Sequence, residues 1–420
     1  AVAVVYNLGL LVFFKYGDWF WSSFGGALHA LGLSHTPLPP LAGLFGEQTF
    51  LRTALTTPDG HLRLPLGISF FTFQAFSYVI DIYRRDGRVQ HNPINFALYK
   101  SLFPQLIAGP IVRYKDVDEQ ITSRQTTFDG FAYGVRRFVL GLGKKMLVAN
   151  AAAEVADKIF NSHDALPTPV AWLGILAYTI QIYFDFSGYS DMAIGLGRMF
   201  GFRFLENFDH PYVARSVTEF WRRWHISLST WFRDYLYIPL GGNRGSAQRT
   251  YFNLVLVFFL CGLWHGASTT FVVWGLYHGM FLVLERLGLG RWLGARHAAI
   301  RHVYLLLVVM LGWVFFRAEN MPRAFAFLSA LAGAGAAPAT MPLGLFLDPR
   351  IALALACGVI GSIPWLPALQ AWSSRRMSAG RVGVPIALEA VGLGLLVLVL
   401  VASSLELASN SYNPFIYFRF

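Results

Sequence analysis

Two histidines combine residue type and setting in a way that could support proton transfer to or from a hydroxyl. His265 closes the apolar run from Tyr251, inside Leu263-Trp264-His265-Gly266-Ala267. If the polar segment from Gly241 to Arg249 is cytoplasmic, the helix from Tyr251 carries His265 roughly 21 Å into or through the hydrocarbon core. An imidazole at that depth needs a polar partner or a water-filled cavity, which leans towards function. A structural hydrogen bond to a neighbouring helix, as expected for His278, is the alternative.

His225 lies in the segment from Val217 to Leu240. At about 100° per residue, Val217, Trp221, Trp224, Leu228, Trp231 and Tyr235 form one apolar stripe, with Glu219, Arg222, Thr230 and Arg233 opposite. The pattern predicts an amphipathic helix in the membrane interface, with its Trp residues at headgroup depth. His225 falls at the edge of the stripe, where contact with lipid headgroups is the plainer role.

A third cluster, Tyr183 to Asp191, follows an apolar run directly and contains Asp185, Ser187, Ser190 and Asp191. Carboxylates here are costly unless paired or solvated, so Asp185 or Asp191 could orient an imidazole or meet an arginine. Helix capping by Ser187, Ser190 or Asp191 is the simpler expectation. Ser187 lacks the preceding glycine of a nucleophile elbow. Walker, dinucleotide and His-Glu-x-x-His patterns are absent, so phosphoryl transfer and metal hydrolysis lose support, and no metal ligands are expected.

The elements that must hold these residues are membrane helices. Of 420 residues, 55% are hydrophobic and only 34 basic and 23 acidic ones are present, against roughly 105 charged residues in a soluble protein of this length. A mean hydropathy of +0.47 also excludes disorder. Segments such as Leu254 to Cys261 do not alternate, which favours helices over a barrel. The predicted fold is all-α: a polytopic transmembrane bundle with interfacial and re-entrant helices around a central tunnel, in one domain over 1–420. Strong spans are read at Leu64 to Ile82, Val170 to Phe184, Tyr251 to His265, Thr269 to Leu284, Val303 to Phe316, Ile351 to Leu366 and Val384 to Ala402. Asp18 to Leu33, Ile94 to Ala108, Phe128 to Ala153 and Met192 to Phe202 are weaker candidates. The run from Ala1 to Phe14 is short for a span, so an N-terminal portion is expected to be missing.

The net charge of +11 comes from short basic clusters between apolar runs, which fits positive-inside topology better than nucleic acid. Arg84, Arg85 and Arg88, then Arg286, Arg291, Arg296 and Arg301, then Arg375, Arg376 and Arg381 mark cytoplasmic loops. Asn161 to Pro169 is read as exoplasmic. Cys261 and Cys357 lie in apolar stretches and give neither a disulfide framework nor a metal spacing.

The motifs, taken in order, resemble the membrane-bound O-acyltransferase family, and within it the branch that acetylates bacterial exopolysaccharide. They are Pro65 to Gln74, Phe103 to Ile111, the Asp185 cluster, Glu219 to Ser229, Gly262 to Ala267, and the closing Asn413 to Phe420. The resemblance implies an O-acetyltransferase of the bacterial inner membrane, alginate being the favoured polymer. It would move acetyl groups from a cytoplasmic thioester, acetyl-CoA, to an outer acceptor, with no bound cofactor. It implies that His265 and His225 are catalytic, His265 as general base and His225 as a hydrogen-bond donor to the developing oxyanion or a positioner of the thioester. Asp185, Arg222, Arg223 and Trp264 are expected to bind substrate or donor, with Arg222, Arg223 and Arg233 meeting coenzyme A phosphates or anionic lipid. Expected partners are a periplasmic polysaccharide acetyltransferase or acetyl-relay protein, docked near Tyr412 to Phe420, and membrane lipid. Cellulose acetylation and D-alanyl transfer are alternatives within the family. A flippase or a scaffold without chemistry are alternatives outside it.

Overall fold

The computed structural model describes residues 2–33, 38–41, 55–57, 61–65, 67–162, 165–334, 341–379 and 383–409. Among them the chain is helical, and an isolated bridge between Thr56 and Leu62 is the sole β pairing. The segment from Tyr412 to Phe420, read from sequence as a docking surface, lies outside the described residues.

The centre of the bundle is a 32-residue helix, α7 (Thr168–Met199), apolar enough to cross a membrane yet buried along most of its length. It runs unbroken through the Asp185 cluster. The expectation of helix caps at Ser187, Ser190 or Asp191 is therefore wrong: these residues are internal. Charge pairing makes this tolerable. Phe128–Gly143 (α5) and Asn150–Phe160 (α6), joined by a π-turn over Lys144–Ala149, lie against α7 and supply the cations. Lys145 Nζ stands 2.7 Å from Asp185, Lys144 Nζ 2.7 Å from Asp191, and Arg137 2.6 Å from Asp191. Small residues permit that approach. A Cβ on Gly141 would meet the Gly188 carbonyl at 2.6 Å, and one on Gly134 the Gly195 carbonyl at the same distance.

Among the described residues, four helices are long and apolar enough to cross a membrane: α7 itself, Thr269–Gly294, Ala298–Arg317 and Gly383–Ala408; the pair Pro349–Gly361 and Trp365–Ser378, bent by 58°, forms a fifth candidate. Val2–Ala30 (α1) is a further long helix. The span expected from Leu64 begins as a helix only at Ile68, after Gly67 with φ 74°.

The segment from Val217 to Leu240 departs most from its pattern. The predicted continuous amphipathic helix is broken into α8 (Val217–Arg223), α9 (Ile226–Phe232) and a π-turn over Arg233–Tyr237. Its stripe residues Val217, Trp221, Trp224, Leu228, Trp231 and Tyr235 are buried in the protein core rather than presented to headgroups. Periodicity sees an apolar face but not what covers it. Part of the cover is α11 (Thr269–Leu284). Glu285, just beyond α11, caps α8 from outside: its carboxylate accepts from Val217 N at 2.6 Å, Thr218 N at 3.0 Å and the Thr218 hydroxyl at 2.7 Å.

Candidate active site

His225 occupies the break between α8 and α9. Its φ of 44° and ψ of 55° put it in the left-handed region, which costs a side-chain-bearing residue roughly 1–2 kcal/mol. The sharp reversal turns the imidazole inwards, where His225 is 1% exposed. Its Nδ1 stands 3.1 Å from Asn207 Oδ1. The amide's orientation is set independently, because Oδ1 also accepts from the Ser227 backbone N–H and hydroxyl, at 3.3 and 2.9 Å, while Nδ2 donates to Ser190 Oγ at 3.0 Å. A carbonyl oxygen only accepts, so Nδ1 carries the proton and Nε2 presents a lone pair. Nε2 is buried without a partner among the described residues, and burial pushes this imidazole down to about 3, which keeps it neutral. In this tautomer Nε2 has no proton to donate and offers an acceptor to whatever enters the site.

His265 is the last residue of α10 (Ala247–His265) and is 6% exposed. Its ring sits in an aromatic cage, edge to face with Trp274 at 5.0 Å and Phe316 at 5.1 Å between centroids. Trp264 stands between the two histidines, 4.9 Å from the His265 ring and 6.2 Å from that of His225. Gly262 and Gly275 let α10 and α11 approach so closely that a side chain on either would strike the other helix's backbone. Among the described residues His278 does not make the interhelical hydrogen bond expected of it: both ring nitrogens are buried without a partner there, and the ring packs edge-on to Trp221 and Trp274.

Motifs scattered along the sequence converge here. Phe73 stacks on Trp231 at 3.8 Å and on Trp264 at 5.4 Å, and its carbonyl accepts from Trp231 Nε1 at 3.1 Å. Ile111 N donates to Ser227 Oγ at 2.9 Å. Phe186, from the Asp185 cluster, packs edge-on against His225 at 4.7 Å.

The remaining candidates divide. Arg222 lines a cavity of about 460 Å³ with Trp221, Ser229, Arg233, Cys261 and Arg286, and Cys261 is one helical turn before His265. Arg223 is instead held by Glu219 at 3.1 Å and Asp209 at 3.0 Å, and it does not line that cavity. Asp185 pairs with Lys145; of the two carboxylates expected to orient an imidazole or meet an arginine, Asp191 meets Arg137. The cluster serves the site through Phe186 and Ser190. Asn207 and Ser227 were not singled out from sequence; no spacing rule links an asparagine to a histidine eighteen residues on. Among the described residues no group of three or more His, Cys, Asp or Glu side chains could hold a metal ion.

The family model of the membrane-bound O-acyltransferases matches residues 83–318, which include both histidines. The chain is 48% identical over 338 residues to the probable alginate O-acetylase of Pseudomonas aeruginosa, covering 79% of this chain and 59% of that protein. It is 42% identical over 442 residues to the probable alginate O-acetylase of Azotobacter vinelandii, covering 100% of this chain and 84% of that one. Similarity extends to the peptidoglycan O-acetyltransferase of Helicobacter pylori, at 37% over 363 residues, with 79% and 64% covered.

Proposed function

The chain belongs to the membrane-bound O-acyltransferase family, and from that premise we propose that it is an acyltransferase which O-acetylates a bacterial exopolysaccharide, alginate first, working at the inner membrane. The observation that carries this reading is the pair of buried imidazoles flanking Trp264, with an arginine-rimmed cavity reaching to within one turn of His265.

That cavity suits an acetyl thioester on a phosphate-bearing arm, for which acetyl-CoA is the simplest source. Arg222 and Arg286 stand along it, with Arg233 held beside them by Asp234 at 2.7 Å, and guanidinium groups of this kind meet phosphate. The largely apolar lining by Trp221, Leu254, Val257 and Phe258 suits the thinner chain behind it. Arg286 falls among the arginines between Thr269–Leu284 and Ala298–Arg317. Arg317 is at the opposite end, paired with Asp157 at 2.8 Å beside the turn after α6. Positive-inside bias then makes the cavity mouth cytoplasmic.

In the reaction, His265 removes the proton of an acceptor hydroxyl, whose oxygen attacks the thioester carbonyl. The tetrahedral oxyanion collapses to the ester and expels a thiolate, which recovers the proton. Neutral imidazole suits proton removal near pH 7. The lone pair of His225 Nε2 orients the incoming hydroxyl or an intervening water, and the aromatic walls exclude competing hydrolysis. The chain is similar to two probable alginate O-acetylases, which supports a place in a polysaccharide acetylation system. A mobile hydroxyl on an outer partner reaches a buried histidine more easily than a polymer does, so the acetyl group passes through such a partner.

The test is single-turnover acetyl release from radiolabelled acetyl-CoA by the purified chain in proteoliposomes, with a small hydroxyl acceptor. Thioester cleavage that requires His265 is expected. Folded wild-type protein that cleaves no faster than His265→Ala would refute the reading.

A further inference from the structure

Helix α1 carries a single lysine within a largely apolar sequence, Lys15. A cation in that setting is costly unless it gains a partner. Its hydrogen-bond partners among the described residues are a carbonyl and a hydroxyl oxygen. Lys15 Nζ donates to the backbone carbonyl of Trp264 and, at 3.2 Å, to Ser69 Oγ, and it lies 5.7 Å from the centre of the Trp264 indole. The adjacent Tyr16 hydroxyl donates to the carbonyl of Leu263. Both carbonyls belong to the last turn of α10, the turn that ends at His265.

The C-terminal carbonyls of a helix carry partial negative charge and attract a cation. Left bare, they would favour a charged imidazolium at His265, and an imidazolium cannot take a proton. An ammonium seated on the Trp264 carbonyl offsets that field and brings a positive charge close by, so a second positive charge on the ring is disfavoured. The same contact ties the end of α10 to α1 and to the first turn of Ile68–Arg84, where Ser69 lies.

Resting on the acyl-transfer reading above, we propose that Lys15 is a positioning residue for His265, clamping the end of α10 and placing an ammonium beside the imidazole. Hydrogen bonding and charge separate under substitution. Lys15→Gln keeps a donor for the carbonyl without charge, Lys15→Arg keeps both, and Lys15→Met keeps neither.

The experiment measures kcat and KM for acetyl-CoA, with unfolding midpoints, for the full chain in proteoliposomes, alongside His265→Ala. Lys15→Gln and Lys15→Met are expected to lose at least about tenfold in kcat with KM little changed, while Lys15→Arg stays within about threefold of wild type. A Lys15→Gln variant as active as Lys15→Arg would overturn the proposal, since a hydrogen bond would then suffice. So would failure of Lys15→Gln to fold where Lys15→Arg folds, which would assign Lys15 to stability. His265→Ala distinguishes the two levels: if it transfers acetyl groups normally, the acyl-transfer reading itself falls. If it is inactive and Lys15→Gln is normal, only the role of Lys15 falls.

Discussion

The imidazole of His225 is held by the side chain of Asn207, with Nδ1 3.1 Å from Oδ1 and the amide itself fixed by Ser227 and Ser190. This one contact decides which nitrogen of His225 carries the proton. Asn207→Ala should therefore release the ring and leave Ser227 N–H and His225 Nδ1–H unpaired, at a cost of about 1–3 kcal/mol in stability. Acetyl transfer should fall at least about tenfold, as expected when an orienting partner is lost. Thermal unfolding and single-turnover transfer on the same preparation check both effects. Ser190→Ala, which removes only the outer support of Asn207, should be milder in each.

The two histidines should respond differently to truncation. His265→Ala is expected to lower transfer by about a hundredfold or more, the range associated with a general base, without loss of folded protein. At His225 the backbone adds a second effect, because φ 44° is strained for alanine and free for glycine. His225→Gly should unfold at or above the temperature of His225→Ala, by up to roughly 1–2 kcal/mol in their stability difference, although helix propensities rank the residues the other way. A lower midpoint for the glycine variant would contradict the left-handed assignment.

Much of this site is legible in sequence because its motifs are local. Leu263 to Ala267 marks the deep histidine, and the Glu219 to Ser229 run marks the other. What periodicity misses is the break at Trp224-His225. An apolar stripe at helical spacing looks alike whether it faces lipid or protein, and left-handed backbone at a histidine leaves no compositional trace. The α7 carboxylates mislead for a related reason: Asp185 and Asp191 look like a helix end until Lys144, Lys145 and Arg137 are brought beside them from α5 and the π-turn. Lys15 carries the ordinary signal of an intramembrane charge, a lysine in an apolar run, but only the fold reveals that it sits on the carbonyl before His265.

Asp185 and Lys145 should behave as a buried structural pair. Both side chains are largely enclosed, 2% and 14% exposed, and breaking such a pair from one side strands a charge at about 3–5 kcal/mol. Asp185→Asn and Lys145→Met are each expected to reduce the yield of folded protein. The double variant Asp185→Leu with Lys145→Met should recover much of it, because no charge is left uncompensated. Recovery of transfer along with folding would separate Asp185 from donor binding.

Sidedness can be read by cysteine labelling in intact cells. Cys357 is exposed and is first replaced by serine, whereas Cys261 is buried and stays. Ser162→Cys should react with an impermeant maleimide added outside, and Arg244→Cys only after the membrane is opened. The reverse pattern would place the arginine-rimmed cavity on the outer face and remove the cytoplasmic donor route.

Arg222 and Arg223 are adjacent in sequence and opposite in circumstance, which gives the sharpest test of the donor cavity. Arg222 is exposed and lines the cavity, whereas Arg223 is engaged by Glu219 and Asp209. A guanidinium that meets donor phosphate contributes binding equally to ground and transition states, so its loss appears in KM rather than kcat. Arg222→Ala is expected to raise KM for acetyl-CoA about fivefold to twentyfold with kcat near wild type, in line with about 1–2 kcal/mol for a charge-assisted contact at a partly exposed site. Arg223→Ala should leave KM nearly unchanged and lower stability by about 1 kcal/mol or less, the usual worth of exposed ion pairs. A short acetyl thioester without phosphate provides the control, because Arg222→Ala should not alter its KM. If both arginine variants shifted the acetyl-CoA KM alike, the phosphate would be held by the general basic surface rather than by this cavity.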